Sequence, residues 1–236
     1  MGTWESWRPD ASQFPSAVLG NGNGWPGERW LDIRQPAAIE PIMTSRFQMC
    51  QQKGFDAVEP DNIDEYENAT GFPITALQQF VYDTWVAQEV QSLVMAVFEK
   101  NDPDQAGQLE PYFDGVIDEQ CNQDSKCSSY QPYLSAGKPV LNAEYQSSLY
   151  PSFCAADEAA GITGATPLHA MALDGSIYEP CFGPSPPSPP TRLISRRGLF
   201  SRRHFRALEG AAPHTDPLRR GDCQARCGGA AIDLSA

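Results

Sequence analysis

The feature that most constrains this fold is an alternation of short apolar runs with longer segments of helical periodicity. In two of the longer segments, residues 37–53 and 75–91, apolar residues recur at intervals of three and four. Strands that alternate with helices predict an α/β fold with a parallel sheet. The apolar runs end in polar or acidic residues and lie at 29–33, 55–59, 93–98, 113–117, 139–143 and, more weakly, 161–165.

The spacing of these runs indicates which parallel fold to expect. Their ends are separated by roughly 20 to 40 residues, close to the ~31 expected when about 250 residues form eight βα units. With a further strand before Trp4, residues 1–181 provide about seven strands. We therefore expect a (β/α)8 TIM-type barrel that lacks its first strand. An open doubly wound sheet is the alternative, but no glycine-rich phosphate loop follows any early strand.

The composition changes at Phe182. Five prolines fall within residues 184–190, and arginine is the main basic residue type beyond them. Such a stretch buries too little apolar surface to offset its ordering entropy, so residues 182–236 are predicted to be a disordered tail. The tail carries a formal charge of +5 and residues 1–181 carry −18. An acidic body argues against nucleic acid as a partner and favours a cationic ligand.

Cysteine usage favours a secreted protein. The chain has seven cysteines, and Asn68 begins an N-A-T glycosylation sequon. No window approaches the run of about 18 apolar residues that a membrane span needs. We expect an export signal upstream of this chain, glycosylation at Asn68, and disulfides between Cys121 and Cys127 and between Cys154 and Cys181.

The residues that follow the apolar runs suggest hydrolytic chemistry. In a parallel barrel the carboxyl ends of all strands meet at one face. Crowded carboxylates raise one another's pKa, so that one stays protonated while another stays ionised, and glycosidic bond cleavage requires such a pair. Spacing alone does not select the pair among the strand-end residues, which are Asp32, Glu59, Asp61, Asn62, Lys100, Asn101, Asp102, Asp118, Glu119, Gln120 and Glu144.

Metal and cofactor motifs are not recognisable in the sequence. Cys223 and Cys227 are close together, but no second Cys or His pair lies near them, as a zinc site would need. The acidic run 61–67 lacks the alternating pattern and central glycine of a calcium loop. We therefore predict a site without metal or cofactor.

Several sequence blocks resemble a known family. In order along residues 1–181 they are GTWESWRPD, GWPGERWLDIRQ, KGFDAVEPDNIDEYENATGFP, EKNDPDQ, DEQC and AGKPVLNAEY. They are similar to blocks of the endo-α-1,4-polygalactosaminidases of glycoside hydrolase family 114. Members of that family normally begin with a further segment and a first strand, which we expect to be missing here.

The resemblance implies a function and a pair of catalytic residues. It assigns Asp61, in the EPDN block, and Glu119, in DEQC, as the catalytic carboxylates. By analogy with other barrel glycosidases, Asp61 would be the nucleophile and Glu119 the acid/base. The implied activity is endo-cleavage of α-1,4 bonds, without a cofactor and by a monomer, in a galactosamine-containing polysaccharide whose deacetylated sugars are cationic.

Further residues are candidates for substrate binding, and two questions stay open. A carboxyl separation of about 5 Å implies retention of configuration, and roughly 6.5 to 9.5 Å implies inversion. A non-catalytic carbohydrate-binding barrel is the alternative function, because a missing strand leaves two strand edges unpaired. The substrate-binding candidates are Trp4, Arg8, Asp10, Asp32, Glu59, Asn62, Tyr66, Lys100, Asn101, Asp102 and Glu144.

Overall fold

The computed structural model describes residues 1–162, 167–169 and 176–181, and the predicted tail lies outside them. Five α-helices lie within the described residues: α1 (Pro36–Gln52), α2 (Ala76–Ser92), α3 (Ala106–Leu109), α4 (Gln131–Ser135) and α5 (Tyr150–Ala160). The same residues contain nine strands: β1 (Thr3–Glu5), β2 (Leu19–Gly22), β3 (Glu28–Leu31), β4 (Ala57–Val58), β5 (Ala96–Lys100), β6 (Gly115–Glu119), β7 (Val140–Ala143), β8 (Pro167–His169) and β9 (Tyr178–Pro180).

Four strands form the parallel sheet that the sequence predicts. They pair in the order β4-β5-β6-β7, all parallel, with α2, α3 and α4 in the three connections. The register places Lys100 opposite Ile117 and Glu119 opposite Ala143. Because the strands are parallel, their carboxyl ends lie along one edge of the sheet.

Residues before α1 differ from the prediction. The run at 29–33 was expected to be a parallel barrel strand, but β3 pairs antiparallel with β1 on one side and with β2 on the other. The strand expected before Trp4 contains that residue. Strand β2, with the sequence LGNG, has no apolar run to reveal it. Positive φ angles at Gly24 and Gly27 allow the tight loop that turns β2 back onto β3.

Other element boundaries agree more closely with the prediction. Helix α1 begins and ends one residue before the predicted limits, and Thr75 and Gln78 form the capping box expected at the start of α2. Strand β5 begins at Ala96 instead of residue 93, because α2 extends to Ser92 and Val94 turns the chain with φ 64°. Residues 163–165 of the weakest predicted strand lie outside the described part of the chain.

The apolar core lies between the parallel sheet and its helices. Each parallel strand contributes a buried valine, namely Val58, Val97, Val116 and Val140. Helix α1 packs Ile39, Met43 and Phe47 into this core, and α2 packs Val86 and Val90 into it. Full burial of such a side chain stabilises the fold by roughly 1.5–3 kcal/mol. This packing fixes the strand ends on which the candidate site is built.

Both predicted disulfides are present. Cys121 and Cys127 are joined just after β6, and Cys154 of α5 is joined to Cys181. None of the described helices is long and apolar enough to cross a membrane.

Candidate active site

Three parallel strands end in charged residues followed by an unusual backbone conformation. Asn62 follows Asp61, Asn101 follows Lys100 and Gln120 follows Glu119, with φ values of 58°, 53° and 69°. This left-handed region is uncommon for residues other than glycine, although asparagine tolerates it well. The chain therefore turns sharply after each charged residue. Backbone conformations of this kind cluster at functional sites.

Lys100 lies at the centre of a group of three carboxylates. Its Nζ is 3.0 Å from Glu119 Oε1 and 3.4 Å from Asp61 Oδ1, and it also contacts Glu59 Oε1. The lysine side chain is only 3% exposed. Burial alone would lower the pKa of Lys100, but the three neighbouring carboxylates outweigh it and hold the pKa well above its ordinary value. The ammonium group thus stays charged and joins residues from three strand ends.

This shared contact limits the separation of Asp61 and Glu119. Because the distances of 3.4 Å and 3.0 Å from Nζ add to 6.4 Å, Asp61 Oδ1 and Glu119 Oε1 lie no farther apart than that. Carboxyl groups of retaining glycosidases are about 5–5.5 Å apart, and those of inverting enzymes roughly 6.5–9.5 Å apart. The bound falls below the inverting range.

The three carboxylates differ in their access to solvent. The side chains of Asp61 and Glu119 are 36% and 30% exposed, whereas that of Glu59 is 7% exposed. Burial raises the pKa of Glu59, Lys100 partly offsets this, and the charge of Asp61 raises the pKa further. Asp61 and Glu119 are therefore the two members that a dissolved substrate can reach.

Polar contacts fix both accessible carboxylates. The backbone N–H of Glu119 donates to Asn101 Oδ1 at 2.8 Å, and Asn62 Nδ2 lies 3.3 Å from Asp61 Oδ2. Tyr145 makes a side-chain hydrogen bond with Glu119, and its pKa is raised first by burial and then by that carboxylate. Sequence reasoning missed Tyr145, although it directly follows the strand-end residue Glu144.

A cavity of about 200 Å³ opens beside Asp61. Two tryptophans of the region around the β2–β3 loop line it, and one of them, Trp25, is 63% exposed. Trp25, Asn23 and Asp64 were not singled out from the sequence. The polar residues that line the cavity are Asn23, Asp61, Asn62, Asp64, Asn68 and Asn101. An open space with aromatic and amide walls next to a carboxylate pair suits a carbohydrate ligand.

The family model for glycoside hydrolase family GH114 matches residues 1–182. The chain belongs to family GH114. It is therefore a glycoside hydrolase, and the family resemblance seen in the sequence blocks is confirmed.

Solved structures agree with the family match. The crystal structure of Aspergillus fumigatus Ega3 in complex with galactosamine is 30% identical, with a TM-score of 0.71 over 76% of this chain and 75% of Ega3. The glycoside hydrolase domain of a PelA variant from Pseudomonas aeruginosa is 12% identical, with a TM-score of 0.51 over 73% of this chain and 76% of that one. The likeness to PelA shows a shared fold only. A comparison with curated proteins gives no match.

Four of the residues predicted to bind substrate in this GH114 chain make contacts within the protein. They precede α1, where the sheet is antiparallel, so they do not follow parallel strands as the barrel prediction assumed. Their donor–acceptor distances are 2.6 to 3.0 Å. The partners are Ala11 for Trp4, Glu5 for Arg8, Arg46 for Asp10 and Arg34 for Asp32.

Three further predicted residues lie behind the cavity wall. Tyr66 donates its phenol hydrogen to Asp102 Oδ1 at 2.8 Å. Glu144 is fully buried and accepts from the backbone N–H of Asn122 at 3.0 Å and from Asn142 Nδ2 at 2.8 Å. These contacts hold the loops that follow β5 and β6 in place. The remaining predicted residues, Glu59, Asn62, Lys100 and Asn101, lie in the cluster or line the cavity.

Proposed function

We propose that this GH114 glycoside hydrolase is endo-acting and cleaves α-1,4 bonds in a galactosamine-containing polysaccharide, with Asp61 and Glu119 as its catalytic residues. The observation that carries the proposal is the pair of solvent-reaching carboxylates held within 6.4 Å of each other by contacts of 3.4 Å and 3.0 Å to Lys100. Two carboxyl groups that flank the bond are what glycoside hydrolysis requires.

The short separation supports a double displacement with retention. A carboxylate oxygen of Asp61 attacks the anomeric carbon while Glu119 gives its proton to the departing glycosidic oxygen, and the carbon–oxygen bond to the leaving chain breaks. Water then attacks the anomeric carbon, Glu119 takes the water's proton, and Asp61 departs as a carboxylate. This sequence needs no cofactor.

The charge of the chain supports a cationic substrate. Residues 1–181 carry a formal charge of −18, and clefts of one sign concentrate ligands of the other. The related Ega3 was crystallised with galactosamine, a sugar whose free amine is protonated at neutral pH. A polymer with deacetylated galactosamine units fits both observations.

The setting of the enzyme is part of the same proposal. The match to Ega3 supports a (β/α)8 barrel over residues 1–181 that includes β4 to β7. Two disulfides favour a secreted protein, because such bonds persist in oxidising compartments. Glycosylation at Asn68, which is exposed, and a monomeric state remain predictions.

The proposal is tested with partly deacetylated α-1,4-galactosamine polymer and mass spectrometry of the products. Wild-type chain is expected to release internal fragments, and Asp61→Asn or Glu119→Gln to lower kcat by at least about 1000-fold with the fold retained. Asp56→Asn, at the amino end of the same strand as Asp61, is the matched control and should keep full activity. NMR of the first products should show the α-anomer if configuration is retained. Full activity in either active-site variant would overturn the assignment, and binding without cleavage by folded wild-type chain would favour a carbohydrate-binding barrel.

A further inference from the structure

We propose that the loop between β2 and β3 forms a subsite for a cationic amino sugar next to the catalytic pair. Trp25 would be the platform on which the sugar stacks, and Asp64 would be the partner of its ammonium group. The proposal rests on the proposed function, since it concerns a neighbouring unit of the same polymer.

Trp25 presents a large aromatic surface at the cavity. Its side chain is 63% exposed, and it lines the same cavity of about 200 Å³ as Asp61. An indole ring left in solvent forgoes the free energy of burying its apolar surface, unless a ligand covers it. Indole is also the strongest aromatic partner for an ammonium group positioned over its face. A protonated amino sugar offers both an apolar face and such a cation.

The loop that carries Trp25 is ordered by its own contacts. Asn23 Oδ1 accepts from the backbone N–H of Trp25 at 3.1 Å, and Asn23 Nδ2 donates to Glu28 Oε2 at 2.7 Å. The carbonyl oxygen of Gly27 accepts from the backbone N–H of Ser6 at 2.9 Å. Both ends of the loop are thus tied to the antiparallel sheet. Preorganisation of this kind reduces the entropy cost of binding.

Asp64 supplies the charge that an amino sugar requires. It lines the cavity and has no ion-pair partner within 4.0 Å among the described residues. Its pKa is raised by burial, which a hydrogen bond from Asn68 partly offsets. A carboxylate withdrawn from water without a cation beside it gains when a ligand brings one. The position of Asp64 opposite an aromatic platform therefore favours a deacetylated sugar over an acetylated one.

Trp7 provides a matched control for Trp25. It is the other strongly exposed tryptophan among the described residues, at 55%, and its ring lies close to Gly27 of the same loop. Trp7 does not line the cavity beside Asp61. Substitution of Trp7 removes a similar exposed ring from the same part of the sheet, so it reports any general effect on the loop.

The test measures binding on the inactive Glu119→Gln background by isothermal titration calorimetry. The probes are α-1,4-linked galactosamine tetramers, either fully deacetylated or fully N-acetylated. Trp25→Ala is expected to weaken binding of the deacetylated tetramer by about 10-fold and that of the acetylated one by less. Asp64→Asn is expected to weaken only the deacetylated tetramer, again by about 10-fold. Trp7→Ala should leave both affinities unchanged.

The outcomes separate this inference from the proposed function. Unchanged affinity in Trp25→Ala, equal losses for both tetramers in Asp64→Asn, or no binding of either tetramer would overturn the subsite. Because the inactive background reports binding without cleavage, failure of the wild-type chain to cleave polymer would contradict the proposed function and leave the binding result to decide the subsite.

Discussion

At the scale of single residues, Lys100 determines how three acidic side chains coexist at one edge of the sheet. Its ammonium group is almost fully buried and contacts Glu59, Asp61 and Glu119. Removing one member of a buried ion pair commonly costs about 3–5 kcal/mol, because the other charge is left without a partner. Here Glu59 is the member left behind, and its raised pKa allows it to take up a proton at acidic pH.

We predict that Lys100→Met lowers kcat by about 100-fold, because Asp61 and Glu119 lose the contact that sets their positions. Stability should fall most at neutral and alkaline pH, where Glu59 has to carry a charge without its partner. Steady-state kinetics and thermal unfolding at pH 5 and pH 8 measure both effects. Tyr145→Phe, which removes only a hydrogen bond to Glu119, is the milder comparison and should cost about 10-fold or less. Wild-type kcat in Lys100→Met would show that the ammonium does not position the pair.

The residues that sequence reasoning found and missed differ in the rule that places them. Lys100, Asn101 and Glu119 were predicted to converge because each follows a parallel strand, and parallel strands end at one edge whatever lies between them. Trp25 lies in a loop of the antiparallel sheet, where no comparable rule predicts its neighbours. Tyr145 was within reach of the strand-end rule, which was applied one residue too short.

At the scale of elements, the loop after β6 is fixed more firmly than its length suggests. Cys121 is buried and bonded to Cys127, whose carbonyl-side neighbours begin a short 3-10 helix at Cys127–Tyr130. The backbone N–H of Gln120 donates to the carbonyl oxygen of Ala143 at 2.8 Å. The disulfide thus closes a small loop immediately after Glu119, whereas the bond between Cys154 and Cys181 closes a much longer one.

The two disulfides are predicted to affect stability and activity in opposite order. Loop-closure entropy gives about 2 kcal/mol for the short loop and about 3.5 kcal/mol for the long one. Replacement of Cys154 and Cys181 by Ser should therefore lower Tm more, while replacement of Cys121 and Cys127 should lower kcat more, because that loop adjoins Glu119. Thermal unfolding and kinetics on the two double variants measure this. Equal loss of kcat in both would mean that the short disulfide has no local role at the site.

At the scale of the whole molecule, acidic residues are buried as well as displayed. Burial raises the pKa of Asp102 and of Asp118 to about 7, and that of Glu65 to about 8. Asp102 accepts a hydrogen bond from Tyr66 and Asp118 one from Tyr130, which partly offsets the effect of burial on each aspartate. The folded chain therefore holds protons on these groups at pH values where an unfolded chain would release them.

These groups predict that the free energy of unfolding falls as pH rises from about 4 to 8. In this interval the folded state binds more protons than the unfolded state, so each group lowers stability by up to about 1.4 kcal/mol per pH unit between its unfolded and folded pKa. For Asp102 and Asp118 the window runs from 3.8 to about 7, and for Glu65 from 4.5 to about 8. Urea unfolding at a series of pH values measures the slope.

Glu65→Gln isolates one of these groups. The variant has no carboxyl group to ionise at this position, so its stability should fall less steeply than that of the wild type between pH 4.5 and about 8. The two slopes should converge above pH 8, where Glu65 is ionised in the folded and the unfolded state alike. Parallel curves for variant and wild type, or a wild-type stability that rises with pH through this range, would contradict the assignment of a buried, protonated Glu65. A polymer-degrading enzyme with this slope would be most stable in acidic surroundings, where its cationic substrate is also fully protonated.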